Sequence, residues 1–178
     1  IYFLLTFAEF ILLVIGGVPA FDAVCHSFST LSTGGFSSKN DGIAAFESPF
    51  IMIVISIFMF IAGTNITYIY FGLKGNFKKI FGNNEFFFYS LLSIGFIVIV
   101  SLVLHFESGF SPGKSILDGS FHVISIITTS GFYTQDYNLW GNTIIMIIFI
   151  LMFTGGTAGS TSGGIKIVRL LLVTKNSR

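Results

Sequence analysis

Residues 21–41 read FDAVCHSFSTLSTGGFSSKND and residues 117–137 read LDGSFHVISIITTSGFYTQDY, and the two stretches align without a gap. With Gly35 placed on Gly131, Asp22 meets Asp118, His26 meets His122 and Ser29 meets Ser125. Thr33, Gly35 and Phe36 then meet Thr129, Gly131 and Phe132. The same register carries Ala62-Gly63 onto Ala158-Gly159. Self-similarity at a fixed offset marks one structural unit used twice. Each copy lies between apolar runs, so the unit reads as helix, polar-tipped loop, helix.

The apolar runs are Ile1–Gly17, Pro49–Phe71, Phe86–Phe106 and Ile144–Phe153, the last resuming after a Gly/Ser-rich insert. The second and third are each about 20 residues, enough to cross a hydrocarbon core roughly 30 Å thick. The chain of 178 residues is 53% hydrophobic and 10% charged, with a mean hydropathy of +0.87. Soluble domains carry about 25% charged residues. Too few charges remain to coat a water-facing globule, and the class is integral membrane protein. A net charge of +1 provides no concentrated basic face for nucleic acid. Cys25, the single cysteine, forms no intrachain disulfide. The chain opens without Met or a signal peptide and reads as a piece of a longer protein.

Basic residues set the orientation. Lys74, Lys78 and Lys79 lie between the units, and Lys166, Arg169, Lys175 and Arg178 lie at or after the last span. Only Lys39 and Lys114 fall on the other side. The positive-inside rule then puts the larger group in the cytoplasm, with both glycine-containing loops entering from outside. Trp140, Tyr133 and Tyr137 suit an outer aromatic belt.

Each loop begins with a mixed-apolar stretch, Phe21–Leu31 or Leu117–Ile127. Eleven residues of helix rise about 16 Å, half a membrane. Pro19 suits an initial turn of the first, and Ser115 and Asp118 have the spacing of an N-terminal cap on the second. Both stretches are expected to be re-entrant half-helices that end near the midplane in STGGF or TTSGF. Backbone that leaves helical geometry at that depth must be buried or line a water-filled cavity. In a cavity its carbonyl oxygens can replace an ion's hydration shell. Asp22 and Asp118 suit helix N-termini, and His26 and His122 suit packing within the half-helices rather than metal binding. Glu9, within an apolar run, is a functional candidate by position.

Residues 154–164, TGGTAGSTSGG, align with FMFIAGTNITY of the first unit, which is far more apolar. Only the second copy is expected to be broken. Glycine costs about 1 kcal/mol relative to alanine inside a helix. Ser160, Thr161 and Ser162 add hydroxyls able to satisfy freed backbone groups or a hydrated ion. A phosphate-binding loop is excluded, because Ile165 stands where the lysine is required and no strand precedes.

The stretches HSFSTLSTGGFS, SIITTSGFYT and GGTAGSTSGGIKIVR resemble the Trk/Ktr/HKT superfamily of potassium transporters, most like its bacterial TrkH branch. The resemblance covers essentially the whole chain. It implies four helix–pore loop–helix units around one pore, of which this chain holds the second and third. Ser32, Thr33, Gly34 and Gly35, with Thr128, Thr129, Ser130 and Gly131, would line the potassium filter. The insert, with Gly155, Gly156, Gly159, Ser160, Thr161, Ser162, Gly163 and Gly164, would be a flexible gating loop beneath it. The resemblance further implies a bacterial inner-membrane, multi-pass location, a homodimer of the complete protein, and a cytosolic nucleotide-binding ring subunit. Lys166 and Arg169 are read as basic anchors on one helical face, or as a contact for that subunit. Potassium is the expected cargo and membrane lipid the expected surroundings, with no organic cofactor and no enzymatic reaction.

The expectation is thus an all-α membrane protein of tandem units. The first spans residues 1–73, a cytoplasmic linker spans 74–85, and the second unit spans 86–178. Filter strands lie at 32–36 and 128–132. A secondary transporter with re-entrant hairpins is the alternative, but its usual inverted repeats and convergent charged groups are missing from the sequence.

Overall fold

The computed structural model describes residues 1–46 and 48–176, without the side chains of Phe77 and of 174–176. Arg178 and the Lys175 side chain, both counted among the cytoplasmic charges, lie outside the described residues. The described chain is helical: α1 (Tyr2–Ile15), α2 (Ala20–Leu31), α3 (Pro49–Ala62), α4 (Ile66–Leu73), α5 (Phe77–Phe81), α6 (Asn84–Glu107), α7 (Pro112–Ile127), α8 (Asn142–Leu151) and α9 (Ile167–Asn176). A lone parallel bridge joins Thr154 to Ile165.

Both repeats are present as helix, shorter loop helix of 12 or 16 residues, irregular strand, helix. In the first, α1 and α3 flank α2; in the second, α6 and α8 flank α7. The units are joined through α3, which packs on α7 as well as on α1 and α2. Leu13, Ile51, Ile55 and Met59 form one apolar cluster that takes in Phe121 and Phe132 from the second unit. Tyr89, Val100, Leu104, Ile127, Ile144 and Ile148 form the other. Outward faces carry Phe3, Phe7, Ile94, Val98, Leu102, Met146 and Phe149, all exposed. Apolar surface on that scale suits lipid rather than water.

Alone among the described helices, α6 is long and apolar enough to cross a membrane by itself. Its 24 residues span about 36 Å. The run Pro49–Phe71 does not form the single crossing expected: α3 ends at Ala62 and α4 leaves it at 112°. So both copies are broken, not only the second. Asn65 explains the new start, since its side-chain oxygen accepts from the Thr67 N–H at 2.8 Å and caps α4. Gly63 permits the close packing there: a Cβ would stand 2.5 Å from the Tyr89 hydroxyl and 2.8 Å from Thr128 Cγ2.

Two further expectations change. Helix α7 starts at Pro112 behind Ser111, so Ser115 and Asp118 are interior to it and do not cap it. Proline at the first helical position fixes that earlier start. Asp22 does lie in the first turn of α2, held by Ser38 at 2.6 Å and Lys39 at 3.2 Å. Trp140 is buried rather than interfacial, its ring packed edgewise on His122 at 4.6 Å.

Candidate functional site

The two half-helices end in the same way, and that ending creates the strands. In α2, Thr33 N–H donates to Thr30 O and Gly34 N–H to Ser29 O. In α7, Thr129 N–H donates to Ile126 O and Ser130 N–H to Ser125 O. This pair of bonds is a Schellman ending, which needs a left-handed residue just past the helix and ordinarily uses glycine. Here that residue is a threonine in both copies, Thr33 at φ 52° and Thr129 at φ 57°. They are the positive-φ non-glycine residues of the described chain, and β-branched residues pay about 1–3 kcal/mol for such a conformation.

Ser29 and Ser125 reinforce the turn. Ser29 Oγ accepts from Phe36 N–H at 2.7 Å, and Ser125 Oγ donates to Phe132 O at 2.6 Å. Each serine therefore ties the far end of its strand to the helix that delivers it. The two serines are aligned in the repeat, and the structure adds their task. Their offset of seven residues from Phe36 and Phe132 was the available signal.

With the N–H groups of Thr33, Gly34, Thr129, Ser130 and Gly131 turned back to the helices, the strands leave carbonyls over. Among the described residues no hydrogen bond reaches the carbonyl of Thr33, Gly34, Gly35, Thr128, Thr129, Ser130 or Gly131. The strands also meet. A Cβ on Gly35 would lie 1.8 Å from Ser130 O, so the first strand's glycine sits directly against the second strand's backbone. Gly131, the matching residue, has nothing within 4 Å of the same position. The contact is one-sided, as between consecutive members of a ring, and not reciprocal as in a closed pair. Ser130 turns its side chain away, its hydroxyl on Met59 Sδ at 2.8 Å.

Residues 154–164 lie against both strands. Thr33 donates its hydroxyl to Thr161 O at 3.0 Å, and Gly163 N–H donates to Thr129 Oγ1 at 2.6 Å. The strained threonines are thus the residues that touch the loop. The loop is also docked into the break of the first unit. Thr157 N–H donates to Gly63 O at 3.0 Å, and Thr161 donates to Ala62 O at 3.2 Å. The aligned stretch of the first unit, read as ordinary span, is therefore the loop's seat.

Within the loop, Gly155 N–H donates to Ile165 O and Ile165 N–H to Phe153 O, which closes its neck. Ser162 Oγ accepts from Gly156 N–H at 2.9 Å, and Ser160 donates to Thr157 O at 2.7 Å. The hydroxyls thus satisfy freed backbone. Gly155 and Gly156 are required by space: a Cβ would come within 2.2 Å of Gly163 O and 2.4 Å of Gly63 O respectively. Gly159 and Gly164 take φ of 76° and 68°, which suits glycine.

Lys166 and Arg169 do not act alike. Lys166 precedes α9, and its ammonium folds back under the loop to Ser162 O, Ser162 Oγ at 3.1 Å and Ser160 Oγ at 3.4 Å. It satisfies loop oxygens instead of facing the cytosol as an anchor. Arg169 is exposed on α9. His122 bonds Asp118 O at 3.0 Å and Gln135 O at 3.3 Å, as expected of packing within the half-helix. His26 differs: neither ring nitrogen has a partner, and the ring rests on Phe46 and Phe132. Glu9 is fully buried in α1 with neither oxygen hydrogen-bonded.

The sequence profile of the TrkH family, described as cation transport proteins, matches residues 1–178. The chain is 38% identical to the Trk system potassium uptake protein TrkH of Salmonella typhimurium over 177 residues, 98% of the chain and 37% of that protein. It is 32% identical to the potassium uptake protein TrkG of Escherichia coli, over 37% of the latter. Its fold superposes on the crystal structure of the potassium transporter TrkH from Vibrio parahaemolyticus with a TM-score of 0.90 and 32% identity. That match covers 96% of the chain and 37% of the transporter. The chain spans little more than a third of the length of each of these three proteins.

Proposed function

Since the chain belongs to the TrkH family of cation transport proteins, we propose that it contributes two consecutive strands of a potassium filter and the loop that gates it. The observation that carries this reading is the approach of Gly35 to Ser130 O, with the carbonyls of both strands unpaired. Unpaired carbonyls at close quarters are the groups that replace water around a potassium ion. Thr33–Gly35 and Thr128–Gly131 supply them, Ser32 O accepting from the Thr33 hydroxyl at 2.7 Å instead, and the side chains mainly hold the backbone in place.

The one-sided contact between the strands supports a ring closed by further units rather than by these two alone. In that arrangement the face of Gly131 receives the next strand, as the face of Gly35 receives Ser130. Residues 1–73 and 86–178 are then two of the ring's units, joined by a cytoplasmic linker at 74–85. The bonds that join Thr161 and Gly163 to the filter threonines support a 154–164 loop that lies across the path beneath them. Ions pass when it moves aside.

The complete protein is a multi-pass protein of the bacterial inner membrane and works as a homodimer. Exposed Arg169 on α9 is the cytoplasmic residue offered to a nucleotide-binding regulatory ring. The chain is a conduit and not an enzyme, and potassium is its cargo.

Rubidium uptake into potassium-loaded proteoliposomes tests the reading on the full-length protein. Uptake competed by external potassium is expected. Uptake no greater than in protein-free vesicles contradicts it.

A further inference from the structure

Ala158 is held at both of its backbone groups by side chains from outside the loop. Its N–H donates to Glu85 Oε1 at 2.5 Å, and its carbonyl accepts from Asn65 Nδ2 at 2.5 Å. Glu85 stands in the first turn of α6, and Asn65 in the break between α3 and α4. The linker, the first unit and the loop therefore meet at one residue. Both side chains are oriented before they reach it. Glu85 Oε2 accepts from the Tyr68 hydroxyl at 3.3 Å, and Asn65 Oδ1 already caps α4. Gly159 then turns the chain at φ 76°, with Asn65 Nδ2 only 3.0 Å from where a Cβ would stand.

From these contacts we infer that Glu85 and Asn65 form a latch that holds the loop in its obstructing position and releases when the loop moves. This rests on the gating role proposed above. A carboxylate accepting from a backbone N–H makes a stronger bond than two neutral groups do. Pinning one residue by this bond and by the neutral one from Asn65 biases the loop toward the arrangement in which it touches Thr33 and Thr129. Among the described residues, neither side chain bonds to residues 32–36 or 128–132. Both are positioning residues, which set how often the path opens and not which ion passes.

The test compares E85A, E85Q, N65D and a deletion of Gly159–Ser162 in full-length protein, by rubidium flux and by the potassium-to-sodium permeability ratio. N65D keeps an oxygen that caps α4, and replaces the donor to Ala158 O with a carboxylate oxygen that repels that carbonyl. E85Q keeps an acceptor of the same shape. E85A and N65D are expected to raise basal flux about tenfold at an unchanged ratio, the factor matching loss of one hydrogen bond, charge-assisted in E85A and neutral in N65D. E85Q should fall between wild type and E85A. Increased flux in the deletion, with wild-type flux in monodisperse E85A and N65D, overturns the latch and leaves the gate standing. Unchanged flux in the deletion as well removes the gate and the latch together. A shifted ratio in E85A or N65D places them in the ion path and also overturns the inference.

Discussion

Gly35→Ala is expected to cut rubidium flux through the full-length protein by about a hundredfold, a loss of about 3 kcal/mol. Two costs combine. A left-handed conformation costs an L-residue roughly 1–2 kcal/mol, and Gly35 sits at φ 69°. The larger cost is steric: the new methyl would stand 1.8 Å from Ser130 O and 2.9 Å from Ser130 C. Both are backbone atoms of the neighbouring strand, so no side-chain rotation relieves the clash. Overpacking of this kind typically costs about 1–3 kcal/mol in ordinary cores. Here the relief must come from moving Ser130, whose carbonyl is one of the proposed ion ligands. Isotope uptake per mole of correctly assembled protein measures the effect, and wild-type uptake would contradict it.

Deleting Gly159–Ser162 is expected to act in the opposite direction. It removes Thr161, the acceptor for the Thr33 hydroxyl, and shortens the reach of Gly163 to Thr129. It also removes Ser162, which bonds Gly156 N–H and Lys166. The loop then loses its footing on both strands, while the Schellman endings and the serine ties that shape the filter stay intact. Basal flux should rise about tenfold, within the usual range of coupling between two sites. The potassium-to-sodium ratio should change little. Single-channel open probability separates these effects, and an unchanged open probability in folded protein contradicts the gating role.

Much of the architecture could be read from residues 21–41 and 117–137, because the duplicated pattern requires the same backbone twice. The two loop helices follow from it, and the Gly/Ser run at 154–164 marks the break in the second copy. The missed features are those in which tertiary contacts outweigh local preference. A threonine at a left-handed position cannot be anticipated, since glycine is the residue that ordinarily ends such a helix. The surrounding bonds, including those to the loop, hold Thr33 and Thr129 there. The break at Gly63–Asn65 was hidden by the apolar residues on either side, although an asparagine before ITYIY is an N-cap signal. Trp140 looked interfacial by type, yet it fills the space beside His122. Lys166 looked like an anchor by charge, yet the loop's uncovered oxygens draw its ammonium inward.

Gly131→Ala in the full-length protein, assayed by rubidium uptake and potassium-to-sodium selectivity, tests the central claim most directly. Among the described residues a methyl at Gly131 would meet nothing within 4 Å, whereas one at Gly35 meets the next strand. If these strands are consecutive members of a ring, a further strand lies against Gly131 and the two substitutions are equally damaging. Loss of uptake in Gly131→Ala to the level of Gly35→Ala is the predicted result. Wild-type uptake and selectivity in Gly131→Ala would mean that no strand packs there, and the four-unit filter would have to be abandoned.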